Sequence, residues 1–358
     1  MKVGVVVLNF GEPETATIAE VTPFLERIFQ ANSSLEADTL ESARWARSRQ
    51  FAQARAPGLA EAYRAIGGSP LNAQSRDQAD ALAAELRRRG LEASCYAAFQ
   101  FTAPSPADAL ARALADEVEP LVGLPIYPLC GQSTTVAALA ALEHAARRAG
   151  WPGRVLEIGG WHLHPDYLPL HVDHVREFCR AHAVELYDPH TALLFSIHGT
   201  PLHYLEGGSR YDRYVEEACA GIARGLDVKR YHMGYQNHTN RPIEWTPPDV
   251  ADVVRALDAK RVVVVAPSFM HEQSETLVEL DHDLRELAEG RGLEFYRVPV
   301  PHADPRFIRV LADLVEARIA DAPGATLTLR RCVCRPGGAA RCTNGLRGAG
   351  TASLDGAS

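Results

Sequence analysis

Short apolar runs rich in β-branched residues alternate along this chain with longer segments in which apolar positions recur every three or four residues. The short runs predict strands at Val3 to Leu8, Ala93 to Phe101, Leu121 to Ile126, Leu193 to Ile197, Tyr231 to Gly234, Arg261 to Ala266 and Glu294 to Val298. The periodic segments predict amphipathic helices at Gln78 to Arg89, Pro106 to Asp116, Val136 to Arg148, Pro165 to Ala181, Tyr211 to Arg224, Val250 to Leu257, Glu275 to Gly290 and Pro305 to Ala320. Ser105 and Ser209 stand where N-caps are needed, and Pro106 and Pro305 suit first-turn positions. Strand alternating with helix is the pattern of parallel sheets covered on both faces. The cycle runs once before and once after Ala149-Gly150-Trp151-Pro152-Gly153, a turn-rich stretch suited to a junction. The expectation is an α/β protein of two similar doubly wound halves, residues 1–150 and 151–323, around a central cleft. From Gly324 the period decays, and 324–358 reads as a tail that stays disordered unless something ties it down.

Composition narrows the class. With 46% hydrophobic and 23% charged residues over 358 positions, the chain can bury a core and is neither a small stapled module nor wholly disordered. Its 37 basic and 45 acidic side chains leave a net charge of -8, which argues against a nucleic-acid partner. No apolar run approaches the ~18 to 20 residues that cross a bilayer. The apolar stretch after Lys2 is too short for a signal-peptide core, so a cytoplasmic location is expected. The cysteines number seven, and Cys95, Cys130, Cys179 and Cys219 are spaced unlike a disulfide framework.

In open parallel sheets ligands sit beyond the C-terminal strand ends, so the loops that follow strands carry the candidate chemistry. Asn9-Phe10-Gly11-Glu12-Pro13-Glu14 follows the first strand with a single glycine, so it is either a tight turn or a ligand loop but not a dinucleotide fingerprint. Gly67-Gly68-Ser69-Pro70 is by itself a turn. Tyr127-Pro128 closes another strand ahead of Ser133-Thr134-Thr135, hydroxyls that read first as a helix cap. Ser196-Ile197-His198-Gly199-Thr200-Pro201 puts an imidazole where a strand ends. Glu272, Glu275, Glu279, Asp283 and Glu286 fall on one stripe of a predicted helix, interrupted only by Arg285. Such a stripe is either a solvated face or, given repulsion of about 0.2–0.5 kcal/mol per acidic pair, a column that attracts cations and accepts protons.

These motifs, in this order, together with Tyr235-Gln236 and Glu275-Thr276-Leu277-Val278-Glu279-Leu280-Asp281, resemble the ferrochelatases, which insert ferrous iron into a porphyrin. The resemblance covers most of the chain and implies two Rossmann-like halves of chelatase type. It implies His198 and Glu275 as the catalytic pair, with His198, Glu275 and Glu279 meeting the metal. It also implies Asn9, Phe10, Ser69, Gln100, Tyr127, Tyr235 and Phe269 as porphyrin contacts. The chain departs from the family pattern at Glu272-Gln273, at Gln100-Phe101 and at Tyr235, where many members carry Trp. The opening loop is closer to the protoporphyrin branch than to the coproporphyrin branch. No nicotinamide or flavin is implied, and Fe(II) is a substrate.

The stretch Arg44 to Arg55 mixes guanidinium groups with Trp45 and Phe51. By the resemblance it forms a lip over the porphyrin, where it could meet propionates or anionic lipid in a peripheral membrane contact; the alternative is an ordinary basic helix face. Cys332, Cys334 and Cys342, with Cys130, match the places where some family members hold a [2Fe-2S] cluster, although the gap from Cys334 to Cys342 is long. Other readings are a cobalt or nickel tetrapyrrole chelatase, which commonly carries two histidines where this chain shows one beside an acidic helix, and a non-catalytic haem or porphyrin carrier. A zinc hydrolase built on His162 and His164 ranks last, because no third ligand stands at helical spacing.

Overall fold

The computed structural model describes residues 2–32, 41–153, 155–238, 243–320, 327–335 and 338–344. Valine-rich runs buried on both faces make the central strands: β1 (Val3–Asn9) is buried along its whole length, as is β3 (Leu121–Pro125). With β2 (Ala93–Phe99) and β4 (Val155–Glu157) they form a parallel sheet in the order β2-β1-β3-β4. The second sheet repeats that order with β6 (His232–Gln236), β5 (Thr191–His198), β7 (Arg261–Val265) and β8 (Glu294–Arg297). Each half therefore has a switch point beside its first strand, where chains leave in opposite directions and a crevice opens.

The helices are α1 (Ile18–Ala31), α2 (Glu41–Ala65), α3 (Leu71–Arg88), α4 (Pro106–Ala115), α5 (Ala137–Ala149), α6 (Tyr167–Ala181), α7 (Leu202–Glu206), α8 (Tyr211–Gly225), α9 (Val250–Ala256), α10 (Ser274–Leu277), α11 (Arg285–Gly290) and α12 (Pro305–Ala320). Ser105 caps α4 in a reciprocal box with Asp108. Ser209 caps nothing: its N–H closes the turn after α7 by donating to the Tyr204 carbonyl, and α8 starts behind Arg210. Ser133-Thr134-Thr135 likewise lies inside a wide helical turn, Gln132–Val136, rather than in front of one. The three-residue β4 pairs with β3, so the first sheet extends past the turn at 149–153. The last helix, α12, returns to the first half, with Phe307 stacked on buried Trp161.

The lip α1–α2 has a small core of its own, Phe24, Leu25 and Phe29 against Ala52, Ala56, Ala60 and Tyr63. The four-residue spacing of those alanines lets the two helices approach closely. Part of the expected tail is tied down, since Arg330–Arg331 and Arg341–Cys342 pair antiparallel and the Gly159 N–H donates to the Arg341 carbonyl at 2.6 Å. Of the expected tail, residues 324–326, 336–337 and 345–358 lie outside the described residues.

Candidate active site

A cavity open to solvent lies between the lip and the C-terminal strand ends of both sheets. β5 delivers His198 to its wall. The His198 N–H donates to Ser268 Oγ at 3.1 Å, and Tyr211 Oη donates to the His198 carbonyl at 3.0 Å. Gly199 must follow, because a Cβ there would fall 2.1 Å from Asn237 Oδ1 and 2.7 Å from the Gln236 carbonyl.

Glu275 enters from the first turn of α10, placing its Oε1 3.2 Å from His198 Nδ1. Its Oε2 accepts from Gln273 Nε2 at 2.8 Å. Gln236, at the end of β6, ties these elements together. It accepts from Ser196 Oγ at 3.0 Å and donates to the Glu275 carbonyl at 2.8 Å and to Glu279 Oε2 at 2.9 Å. The Ser-x-His motif thus serves the site twice, with His198 on the wall and Ser196 orienting the glutamine.

His238, which no motif marked, completes the group. Its Nε2 is 3.2 Å from the same Glu275 Oε1, its Nδ1 is 3.9 Å from Glu279 Oε1, and its ring meets Trp245 edge-on. Ligand atoms of His198, His238 and Glu275 all lie within 4.8 Å of one another. The two carboxylates titrate in opposite directions. Burial would raise Glu275, but the His198 and His238 imidazoles beside it hold it far below the usual carboxylate range. Burial pushes Glu279 up, and the charge of Glu275 pushes it further. For His238, burial disfavours the cation, yet Glu275 and Glu279 outweigh it and lift the imidazole to about 9.

The predicted acidic stripe is broken by the backbone. Between α10 and α11 the chain makes a wide turn at Glu279–Leu284, where the Asp283 N–H donates five residues back to the Val278 carbonyl at 2.9 Å. Glu279 stays with Glu275 on the cavity wall, while Asp283 and Glu279 share an adjoining polar cavity with Arg55, Asn237 and Asp249. Glu272 turns away to Arg297 Nη1 at 2.9 Å, and Asp281 accepts from Arg297 Nε at 2.7 Å. Arg297 on β8 thus compensates both carboxylates, and Arg285 on the helix also lies 3.7 Å from Asp281 Oδ1.

Among the expected porphyrin contacts, Phe10, Tyr127 and Phe269 line the cavity. Asn9, Ser69, Gln100 and Tyr235 stand behind that lining. Asn9 is fully buried, with its amide shared between Ser75 Oγ at 2.8 Å and His271 Nδ1 at 3.2 Å. Gln100 accepts from Tyr127 Oη at 3.1 Å and positions that ring. Tyr235 precedes Gln236 on a strand, so its side chain takes the opposite face and packs in the core with Tyr214 and Val215.

Ser69 belongs to a clasp around Glu12, a lining residue only 4% exposed. Glu12 accepts from Tyr63 Oη at 2.9 Å, from the Ser274 N–H at 3.2 Å, and from both the Ser69 and Ser274 hydroxyls. One carboxylate thereby joins the lip helix to the residue before Glu275. Burial raises its pKa in spite of these four donors.

A second gathering lies away from the cavity. Cys130, in the loop after β3, has its Sγ 3.9 Å from that of Cys332, far beyond a disulfide bond of about 2.05 Å. The sulfurs of Cys130, Cys332 and Cys334 lie within 4.8 Å of one another, and Cys342 adjoins Cys332. Thiols of Cys130, Cys334 and Cys342 donating to Cys332 hold it far below the thiol range. A Cβ on Gly159 would sit 3.0 Å from Cys332 Sγ, so the backbone closes over the group. His164, by contrast, is buried against Asp313, whose carboxylate Arg89 already neutralises.

The family model Ferrochelatase matches residues 2–319. A ferrochelatase of Synechococcus sp. (strain RCC307) is 34% identical over 89% of this chain and 83% of its own. Ferrochelatase-1, chloroplastic/mitochondrial, of Arabidopsis thaliana is 32% identical over 88% of this chain and 69% of its own. Among solved structures, SirB from Bacillus subtilis with Fe3+ superposes with a TM-score of 0.52 at 11% identity, covering 90% of this chain and 97% of that one, a likeness of fold. On the match along nearly its whole length, the chain belongs to the ferrochelatase family.

Proposed function

We propose that this chain inserts Fe(II) into a porphyrin seated between the lip and α10, with His198 and Glu275 as the catalytic pair. The observation that carries the reading is their meeting, 3.2 Å apart, on the wall of one cavity, His198 from the end of β5 and Glu275 from the first turn of α10. The reaction exchanges one Fe(II) for two pyrrole protons, so it needs an anionic approach for the ion and acceptors for the protons. Glu275, kept ionised by its imidazole neighbours, draws the cation in. The His198 imidazole takes a pyrrole proton as general base. Glu279, whose proton affinity is raised by burial and by the Glu275 charge, takes the second as a carboxylate and passes it toward Asp283 and the polar side cavity. Anaerobic loss of the metal-free porphyrin spectrum on adding Fe(II) tests this, with His198→Ala and Glu275→Gln abolishing it.

Phe10, Tyr127 and Phe269 contact the ring. Arg55 is the one arginine or lysine among the described residues lining the cavity, whereas the lip side offers Phe24, Leu25, Ile28, Phe29 and Leu59. An apolar wall with a single guanidinium favours protoporphyrin IX, with two propionates, over coproporphyrin III, with four. Comparing kcat/KM for the two porphyrins tests the preference.

The lip also presents Ile18, Trp45 and Phe51 at 51%, 48% and 38% exposure, beside Arg44 and Arg47. Apolar side chains flanked by cations suit a peripheral contact with anionic lipid. Among the described residues no helix is long and apolar enough to cross a membrane. The cysteine quartet fits a [2Fe-2S] cluster in donor type and number, four thiols with the backbone of Gly159 closed over them. When bound, the cluster supplies Fe–S bonds that pin the tail to the loop after β3. Visible charge-transfer absorption with about two irons and two sulfides per chain is the expected signature; colourless protein without acid-labile sulfide contradicts it.

A further inference from the structure

His238 stands in the stretch that leaves β6, and what it shares with His198 is one atom. Glu275 Oε2 is occupied by Gln273, which leaves Oε1 facing the cavity, and both imidazoles point a ring nitrogen at that oxygen from 3.2 Å. An ion at roughly 2.0–2.2 Å from each of two neighbouring ligand atoms holds those atoms about 3.0–3.4 Å apart. The two separations of 3.2 Å from Glu275 Oε1 fall within that range, and the three ligand atoms lie within 4.8 Å of one another. His198 Nδ1 is buried and makes no hydrogen bond of good geometry, even to the Glu275 carboxylate 3.2 Å away, so its lone pair is left uncommitted. His238 is also held for the task. Trp245 fixes its ring at 84° and 5.3 Å, and Glu279 faces the far nitrogen, the carboxylate–imidazole arrangement that orients a metal-bound histidine.

We propose that His238 is a third protein ligand of the incoming metal ion, which is held by His198 Nδ1, His238 Nε2 and Glu275 Oε1 before it passes to the ring. The proposal rests on reading the cleft as the insertion site and adds to it a donor and a selectivity. Two imidazoles and one carboxylate leave the remaining coordination positions open to the cavity, where water or pyrrole nitrogen can enter. Two nitrogen donors favour borderline ions, Fe(II), Co(II), Ni(II) and Zn(II), over Mg(II) or Mn(II). They also remove the contrast with two-histidine tetrapyrrole chelatases that a single motif histidine suggested.

The test is an anaerobic titration of the full chain with Co(II), without porphyrin, followed by visible absorption and by proton NMR of the hyperfine-shifted, exchangeable imidazole N–H signals, one for each bound histidine. Thiolate coordination at the cysteines would show separately, as strong near-ultraviolet sulfur-to-cobalt bands. The proposal predicts two such N–H signals in the wild type, one in His238→Ala, and a Co(II) affinity lower by about 10- to 100-fold in the variant. A wild type with one signal, or with no cobalt bound in the cleft, overturns it, and that reading needs no variant to fold. So does a His238→Ala protein that binds Co(II) as the wild type does. Two N–H signals in a protein that inserts no metal into any porphyrin would instead sink the catalytic reading and leave the site standing.

Discussion

The two gatherings of side chains of metal-ligating type differ most in their exposure to water. His198, Glu275 and His238 are 23%, 19% and 27% exposed and face a cavity from the end of β5, from α10 and from the stretch after β6. Cys130, Cys332, Cys334 and Cys342 are 1%, 2%, 9% and 1% exposed and sit where the tail folds back over the loop after β3. An ion at the first can arrive, shed water and leave; a metal centre at the second has no way out short of unfolding the tail. Open coordination with mixed donors is the design of a site that transacts, and closed thiolate coordination that of a site that holds. The difference also explains the electrostatics. Around Glu275 the neighbouring imidazoles hold a carboxylate low, whereas at the quartet the thiols of Cys130, Cys334 and Cys342 hold Cys332 low, as suits a donor from which a metal would displace the proton.

The largest expected effect breaks the open site alone. Glu275→Gln and His198→Ala should each lower the rate of iron insertion by about 10²–10⁴-fold, with porphyrin binding, read by fluorescence quenching, little changed. Glu279→Gln should be milder, because it relays rather than receives the ion; an effect equal to that of Glu275→Gln would place it in direct contact with the metal.

The closed site should fail differently. Cys332→Ser is expected to lose visible colour and to lower the thermal midpoint by roughly 5 °C or more. An unchanged melting curve in a protein purified with its metal would mean that the quartet does not hold the tail.

Glu12 is the next lever, since it links the lip to α10. Glu12→Ala leaves four donors without their acceptor and should cost about 1–3 kcal/mol of stability, while insertion slows through displacement of Glu275. Glu12→Gln restores part of both. Equal turnover in Glu12→Ala and the wild type would make the clasp purely architectural.

A smaller effect comes from pH. Burial lowers His171 to about 3 and His271 to about 4, so both are neutral in the folded chain. Unfolded histidines near 6.5 bind protons that the native state refuses, so stability falls as pH drops from about 6.5 toward 4. Each contributes up to roughly 1.4 kcal/mol per pH unit in that window. Urea titrations at pH 7 and 5.5 of wild type and His171→Phe check the slope, which should be shallower in the variant.

Much of this was legible in the chain, and the rest for physical reasons was not. Valine runs and helical periods located most strands and helices, and strand-end position alone singled out His198. Glu275 was visible as part of an acidic run. Helix α2 was missed as an element because its alanines and arginines carry no apolar period, and β4 because three residues make no pattern. The break in the acidic helix depends on i to i+5 bonding, and the removal of Glu272 from its stripe depends on Arg297, twenty-five positions away. His238 sits in a loop without a motif. Glu12 owes its role to partners 51 to 262 positions away. Such residues become functional only when tertiary structure assembles their surroundings.

The central claim is that the cleft carries out metal insertion through Glu275 and His198. Its most direct test is a single anaerobic assay of the purified full chain with protoporphyrin IX and Fe(II), following free-base absorbance and haem formation together. The account predicts that the wild type converts porphyrin to haem over many turnovers, while Glu275→Gln binds the porphyrin and leaves it metal-free. A Glu275→Gln protein that turns over at the wild-type rate, or a wild type that binds porphyrin and never metallates it, would contradict it.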